Sequence, residues 1–440
     1  MTSGRLRASV AASDRAEDPR NCMHLSRLKG ALERALTDPA VEGDAAACRI
    51  GVTLLSSDPG PNGTEERITL WPGRDSAGHV VCRASAEVWR RVFTAVPAIG
   101  YQSFGALRRR PSEFTIDSGD LLWAQALPFM ERLLNALRQR AVPRPDQPRH
   151  FDALRHLQGR YLSLAGPVNT WVYSEECGST SAPVLLMLHT AGADARQWHG
   201  LMAQETLREQ WRLMAFDLPA HGRSPLPAGS HNWTWRLDQP QYIDWVLRYL
   251  DAMQIERAAL VGCSMGAAIG LPLLARHPDR FAGAILLETP YCSPGRRSPY
   301  LNHAEVHGAR LSAAWVEALL SPSSPASGRD HATWIYSQAA PGVYDGDLAF
   351  YSDEFNAHQH TAGIDTTRTP LWLLTGDYDY SATPGDSRRV AEEIPGAHFQ
   401  ELHGFGHFPM VENPDGLMPY LAAPLQALRD RILQDRGNAR

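Results

Sequence analysis

Residues 258–268 constrain the fold of this 440-residue chain more than any other stretch. The apolar run AALV (258–261) leads into GCSMG (262–266), and small residues suited to a closely packed helix follow. The run predicts a strand, and the glycines predict a sharp turn in which strand and helix pass closely, with Ser264 projecting from it. A serine on such a strand-to-helix turn is suited to nucleophilic catalysis, because the free N–H groups of the helix N-terminus can stabilise a developing oxyanion.

Other apolar runs alternate with helical patterns after residue 150. They predict strands at 170–173, 184–189, 211–217, 281–287 and 371–375. Several are continuous, as in VLLML (184–188), and such runs suit strands buried on both faces. The pattern predicts an α/β architecture, with a mostly parallel sheet flanked by helices.

A serine hydroxyl needs a base and an orienting acid before it becomes a good nucleophile. Among 17 histidines, His407 differs by its position in a glycine-rich loop, GFGHFP (404–409), late in the chain and after a strand-like segment. Asp379 follows the strand predicted at 371–375 and is our candidate acid. Asp377 competes with it, and would otherwise satisfy N–H groups of the turn.

At this point the chain resembles the α/β-hydrolase superfamily, over residues 160–432. The order Ser, Asp, His is the order of that family. MLHTAG (187–192) lies where the family places its His-Gly oxyanion loop, and FDLPAHGRS (216–224) matches its D-x-P-G-H-G-x-S loop, with Ala220 replacing a glycine. GDYD (376–379) matches its G-x-x-D acid turn, which favours Asp379.

The resemblance implies a role for each matched position. Ser264 would be the nucleophile, His407 the general base and acid, and Asp379 the orienting carboxylate. The oxyanion hole would consist of the backbone N–H groups of Met265 and Ala191. Thr190 replaces the usual glycine of that loop, which leaves the exact donor open.

Other histidines are expected to have structural or solvent-facing roles. The resemblance implies that His189 and His221 brace loops. His358 and His360 form an H-x-H pair without a nearby third ligand, so we expect no metal. We expect no cofactor either.

The serine at the turn narrows the chemistry. Family members that open epoxides or displace halide use aspartate there, so hydrolysis of an ester, thioester or lactone is the leading prediction. A helical cap is expected at 291–368, and its many aromatic residues favour a small hydrophobic or aromatic substrate. A carbon–carbon bond hydrolase of ring-cleavage products (dienoic diketo acids) and a non-catalytic ligand-binding protein are the alternatives.

Three prolines in AVPRPDQP (141–148) predict a linker at 141–150. It would separate a catalytic domain at 151–435 from an accessory α+β domain at 46–140. Residues 1–45 are predicted to form a tail, disordered over 1–20, and a short helix. The accessory domain vaguely resembles sterol-carrier-like lipid-binding domains; dimerisation or shielding of the cap are the alternative roles.

Composition excludes several classes of partner. The chain has 43 Lys and Arg against 48 Asp and Glu, a formal charge of −5, which argues against nucleic acid. The sequence contains no run of about 20 apolar residues, so we predict no membrane span. Six scattered cysteines without a C-x-x-C motif favour free thiols in a reducing cytoplasm. We therefore expect a cytoplasmic protein acting on a small molecule, with a homodimer among its expected assembly states.

Overall fold

The computed structural model describes residues 7–10, 25–59, 64–72, 78–141 and 154–438. The strands are β1 (Arg7–Val10), β2 (Ile50–Pro59), β3 (Glu65–Trp71), β4 (Gly78–Ala84), β5 (Phe114–Ile116), β6 (Gln158–Leu164), β7 (Thr170–Cys177), β8 (Val184–Leu188), β9 (Arg212–Asp217), β10 (Ala258–Cys263), β11 (Phe281–Leu287), β12 (Leu371–Gly376) and β13 (His398–Leu402).

The α-helices are α1 (Lys29–Ala35), α2 (Pro39–Ala47), α3 (Ala86–Val92), α4 (Phe104–Leu107), α5 (Asp120–Ala141), α6 (His199–Met202), α7 (Glu205–Gln210), α8 (Gln239–Ala252), α9 (Met265–Arg276), α10 (Gly308–Leu319), α11 (Ala326–Tyr336), α12 (Val343–Leu348), α13 (His358–Thr361), α14 (Pro384–Glu393), α15 (Pro409–Glu412) and α16 (Pro414–Asn438). A π-helical turn spans Ala349–Glu354. Short 3-10 turns span Leu25–Leu28, Ala195–Trp198, Asn232–Thr234 and Pro299–Asn302.

The chain divides into two compact units, each built from two stretches. The first unit comprises Met1–Pro145 and His303–Ser323, and the second comprises Asp146–Asn302 and Ser324–Arg440. The predicted linker at 141–150 lies outside the described residues, apart from Ala141. The domain boundaries expected from the sequence stay predictions.

A small sheet and several helices form the first unit. Its strand order is β1-β3-β2-β4-β5, with β4 parallel to β2 and the other neighbours antiparallel. The long helix α5 has an amphipathic pattern and buries residues such as Leu127, Met130 and Leu134. β1 lies within residues 1–20, which were expected to be disordered. Its backbone instead pairs with β3, and β1 is an edge strand of the small sheet.

Helix α10 belongs to this first unit, although its residues lie inside the predicted cap. Its apolar side chains Leu311 and Val316 are buried, and the helix packs against α5. The Asn135 amide donates to Glu317 Oε1 over 2.7 Å, and Ser103 Oγ donates to the Ala318 carbonyl over 2.8 Å. The first unit is therefore completed by a segment that follows β11 in sequence.

A mostly parallel sheet forms the core of the second unit. Its strand order is β13-β12-β11-β10-β8-β9-β7-β6, and only the pairings of β7 with β9 and with β6 are antiparallel. β8, β10 and β11 are buried along their whole length, as their continuous apolar runs predict. The predicted α/β architecture with an additional small N-terminal sheet is confirmed. The edge strand β6 was not predicted, because most of its residues are exposed and polar.

None of the described helices combines the length and apolar character needed to cross a membrane.

Candidate active site

The turn between β10 and α9 holds Ser264 in a strained backbone conformation, with φ 54° and ψ −111°. The two glycines of the motif allow this turn by removing side chains from close backbone contacts. A Cβ atom on Gly262 would overlap the Gly266 carbonyl oxygen, and one on Gly266 would overlap the Leu188 carbonyl oxygen. The spacing G-x-S-x-G therefore follows from the packing of β10, α9 and β8.

Three side chains predicted from the sequence meet at this turn. His407 Nε2 lies 2.8 Å from Ser264 Oγ, and His407 Nδ1 lies 2.5 Å from Asp379 Oδ2. Asp379 Oδ1 also accepts backbone N–H groups of Ser381 and Ala382, over 2.6 and 3.2 Å. Because a carboxylate only accepts, Nδ1–H donates to Asp379, which leaves Nε2 free to accept the serine proton.

The charge of Asp379 is stabilised by its surroundings. Burial alone would raise its pKa, but the His407 charge and hydrogen bonds from His407, Glu288 and the Ser381 N–H hold the pKa below its usual value. The competing Asp377 does not join this group. Its Oδ1 accepts the Gly404 N–H over 3.0 Å, so it braces the loop that leads to His407.

Glu288 is a member of the site that the sequence analysis missed. It directly follows β11, has φ 52°, is fully buried, and hydrogen-bonds to Asp379. The Gly376 N–H donates to its carboxyl oxygens over 3.0 and 3.2 Å. Burial raises the pKa of Glu288 well above its usual value, and the Asp379 charge raises it further. Glu288 is therefore protonated when Asp379 is ionised.

The loop after β8 has its N–H groups largely occupied. The Thr190 N–H donates to Gln197 Oε1 over 3.0 Å, and the Gly192 N–H donates to Asp347 Oδ2 over 2.7 Å. Within the described parts of the chain, the Ala191 and Met265 N–H groups have no acceptor. The Thr190 N–H is therefore already bonded to Gln197 and is not a free donor.

His189 connects two loops next to the site. Its Nδ1 lies 2.9 Å from the Thr190 carbonyl and its Nε2 lies 3.1 Å from the Leu218 N. One ring nitrogen must therefore donate and the other must accept, which requires a neutral ring. Burial, with a smaller effect of His221, lowers the pKa of His189 to about 4, in agreement with that assignment.

His221 forms a buried ion pair with Asp347. Both ring nitrogens donate, to the Pro219 carbonyl over 2.9 Å and to Asp347 Oδ2 over 2.6 Å. Burial lowers the pKa of His221, but the charge and hydrogen bond of Asp347 outweigh it and raise the pKa overall. Asp347 also accepts from the Gly192 N–H and from Trp235 Nε1. One carboxylate thus ties α12 to the loop that carries Ala191.

Metal-type ligands cluster at two places in the described residues, and neither includes the H-x-H pair. His358 Nδ1 instead lies 2.8 Å from Glu393 Oε2. The first cluster is the hydrogen-bonded group around Asp379, and the second is more exposed. The first cluster consists of Glu288, Asp379 and His407. The second consists of Asp377, Glu401 and His403.

A sequence model of the alpha/beta hydrolase fold family matches residues 183–414, which is more than half of the chain. The chain belongs to this family. The alpha/beta hydrolase is 29% identical to strigolactone esterase D14 of Arabidopsis thaliana over 266 residues, which are 56% of this chain and 93% of that protein. It is 32% identical to 2-hydroxymuconate semialdehyde hydrolase of Pseudomonas sp. strain CF600 over 130 residues, 29% of this chain and 42% of that protein.

Several of the matches cover less than half of the related protein. The alpha/beta hydrolase spans 42%, 32% and 41% of the length of three of the curated relatives it matches. Among solved structures, the enol-lactonase from Burkholderia xenovorans LB400 has a TM-score of 0.52 and 24% identity, with 61% of this chain and all of that one covered. At this level of identity, the likeness to the enol-lactonase concerns the fold.

Proposed function

We propose that this alpha/beta hydrolase cleaves an ester, thioester or lactone bond through an acyl-enzyme formed on Ser264. The observation that carries the proposal is the continuous hydrogen-bond chain from Ser264 Oγ through His407 to Asp379, with distances of 2.8 and 2.5 Å. Its geometry meets the requirement that nucleophile, base and orienting acid be in direct contact. Two of the similar proteins are named as esterases, which adds support.

Each group has a definite task in this reaction. Ser264 Oγ attacks the carbonyl carbon and gives its proton to His407 Nε2. The carbonyl oxygen becomes an oxyanion that the Ala191 and Met265 N–H groups bind. When the intermediate collapses, the leaving alkoxide or thiolate takes the proton from His407. Water then attacks the acyl-enzyme, with His407 again as base, and releases the acid and free Ser264.

The surroundings favour a small substrate that is enclosed during the reaction. Ser264 and His407 are each only 3% exposed. Tyr336, Tyr344 and Tyr351 from the segment between β11 and β12 are buried. Aromatic walls suit an apolar or aromatic substrate body, and we propose that α11, α12 and the π-helical turn act as a cap.

Covalent labelling and activity test the proposal together. We expect a fluorophosphonate probe to label the wild type and to leave the Ser264→Ala variant unlabelled. That variant should also lose at least about 1,000-fold in kcat on p-nitrophenyl esters. Ser381→Ala serves as the control, since Ser381 reaches the site through its backbone N–H. Full activity of Ser264→Ala would refute the assignment.

A second candidate reaction is carbon–carbon bond hydrolysis. The 32% identity to 2-hydroxymuconate semialdehyde hydrolase over 130 residues favours it. Assaying a ring-cleavage product beside aryl esters separates the two reactions. A kcat/KM at least about 100-fold higher for the ring-cleavage product would make carbon–carbon hydrolysis the main activity.

A further inference from the structure

Tyr351 places a hydroxyl group beside the nucleophile. It lies on the π-helical turn Ala349–Glu354, and such turns are frequent at functional sites. Burial raises the pKa of Tyr351 to about 12, and the adjacent hydroxyls of Ser264 and Ser293 act in the opposite direction. No described group completes a hydrogen bond of good geometry to the Tyr351 or Ser293 hydroxyl. Because buried polar groups normally have partners, both hydroxyls are suited to bind a polar group of a ligand.

Arg296 is held next to the π-helical turn by its backbone. Its guanidinium acts electrostatically on the hydroxyl of Tyr351 and on that of Tyr344. The backbone holds it there: the Arg296 N–H donates to Ser352 Oγ over 3.0 Å, and Ser352 Oγ donates to the Ser293 carbonyl over 2.7 Å. The loop with Arg296 is thereby fastened to the π-helical turn.

Arg296 has no charged partner among the residues that the structure describes. The residue is half-buried, and in the described parts of the chain its side chain has neither an ion pair nor a hydrogen bond. The neighbouring Arg297 differs, because it is exposed and pairs with Asp345 and Asp353 over 2.9 and 3.0 Å. An unpaired cation beside a buried hydrophobic site attracts an anion more strongly than it would in water.

We infer that Arg296, with the hydroxyls of Tyr351 and Ser293, binds a carboxylate or similar anionic group that the substrate carries near its scissile bond. The inference rests on the proposed function and adds a substrate class to it: esters or lactones of anionic acids, or esters with an anionic leaving group. A guanidinium and two hydroxyls can all donate hydrogen bonds to a carboxylate. One anionic group would therefore provide a partner for the cation and for both hydroxyls.

Matched pairs of esters test the inference. One pair is the p-nitrophenyl monoester of adipic acid and p-nitrophenyl hexanoate, which differ in charge on the acyl side. The other is p-carboxyphenyl hexanoate and phenyl hexanoate, which differ on the leaving side. We expect kcat/KM at least about 10-fold higher for the anionic member of one pair. Added salt should reduce the difference.

Two variants and two controls locate the effect. Arg296→Gln and Tyr351→Phe should each lower the ratio of kcat/KM for the preferred anionic ester to kcat/KM for its neutral partner about 10-fold, with the loss for the anionic ester mainly in KM. Arg297→Gln removes one charge from the same loop. Tyr242→Phe removes another buried hydroxyl without a partner. Both controls should keep the preference.

The outcomes are separable from those of the proposed function. If neutral esters are hydrolysed and the probe labels Ser264, but neither anionic ester is preferred, the inference is overturned and the proposed function stands. If Arg297→Gln abolishes the preference for the anionic ester as fully as Arg296→Gln does, the inference is also overturned. The overall positive charge of the loop would then explain the preference. If no ester is hydrolysed and the probe does not label the protein, both fail.

Discussion

Glu288 and Asp379 are both buried, and their carboxyl groups are hydrogen-bonded to each other. Two ionised carboxylates at this distance would repel one another, so one of them holds a proton. The raised pKa of Glu288 and the lowered pKa of Asp379 assign the proton to Glu288. We therefore regard Glu288 as a positioning residue. Its O–H donates to Asp379, which in turn orients His407.

Conservative and non-conservative variants of Glu288 should behave differently. Glu288→Gln keeps a donor to Asp379 and should retain kcat within about 3-fold, whereas Glu288→Leu should lose about 10- to 100-fold. Ionisation of Glu288 at alkaline pH removes the donor, so kcat of the wild type should fall there and that of Glu288→Gln should not. Stopped assays measure kcat of both proteins across the pH range. Equal losses in both variants at every pH would indicate a packing role only.

At the scale of elements, the contact between β10, α9 and β8 depends on the absence of side chains. A methyl group on Gly266 would push α9 away from the backbone of β8 and move Ser264 with it. Gly385 in α14 makes a matched control, since its nearest neighbour to an added Cβ is Thr383 Oγ1 at 3.5 Å.

We expect Gly266→Ala to lower the free energy of unfolding by about 1–3 kcal/mol. It should also lower kcat/KM about 100-fold, because it displaces the nucleophile. Gly385→Ala should change either quantity little, or raise stability by about 0.5–1 kcal/mol. Urea unfolding and ester hydrolysis measure both. A Gly266→Ala protein with normal activity would contradict the close approach of α9 to β8.

The ion pair between Asp347 of α12 and His221 in the loop after β9 should be sensitive to pH. The pKa of His221 is raised in the folded state, so its ion pair with Asp347 stabilises fully below the unfolded pKa of about 6.5 and is lost as pH rises through the folded value. Asp347→Asn should cost about 3–5 kcal/mol near pH 6. The difference from wild type should shrink at alkaline pH. Thermal unfolding at both pH values measures it, and a pH-independent difference would exclude the ion pair.

The elements around the site were largely predictable, and the contacts between distant elements were not. Continuous apolar runs gave β8, β10, β11 and β12 to within a few residues, because burial on both faces leaves a strong signature. Glu288 follows β11 without a motif, and its meaning depends on β12 lying alongside in the sheet. Arg296 lies in a loop, where no periodicity marks a residue. The sequence offered one signal for Glu288, which is a glutamate directly after a buried strand. That this strand lies next to the one before Asp379 is visible only in the sheet.

At the scale of the molecule, each unit contains residues from two separate stretches. The sequence predicted one cap at 291–368, since helical patterns do not reveal which unit a helix packs on. Leu311 of α10 is fully buried in the first unit, whereas Leu433 of α16 is 41% exposed. These two leucines allow the role of the inserted segment to be measured.

Leu311→Ala should lower the free energy of unfolding of the first unit by about 2–5 kcal/mol, because it leaves a cavity against α5. Hydrogen exchange followed by mass spectrometry should show faster exchange in α5. The surface control Leu433→Ala should change stability by less than about 0.5 kcal/mol. Unchanged exchange in α5 of the Leu311→Ala protein would show that α10 does not stabilise that helix.

The return of the chain to the first unit at His303–Ser323 also sets an order of synthesis. A ribosome that has made α5 must translate on to residue 323 before α10 can cover it. At about 5–20 residues per second this takes roughly 10–35 s. During that interval the side of α5 that packs on α10 lacks its partner helix. The nascent chain is then a natural client for chaperones, and neither unit can be completed on its own by cutting the gene at a single point.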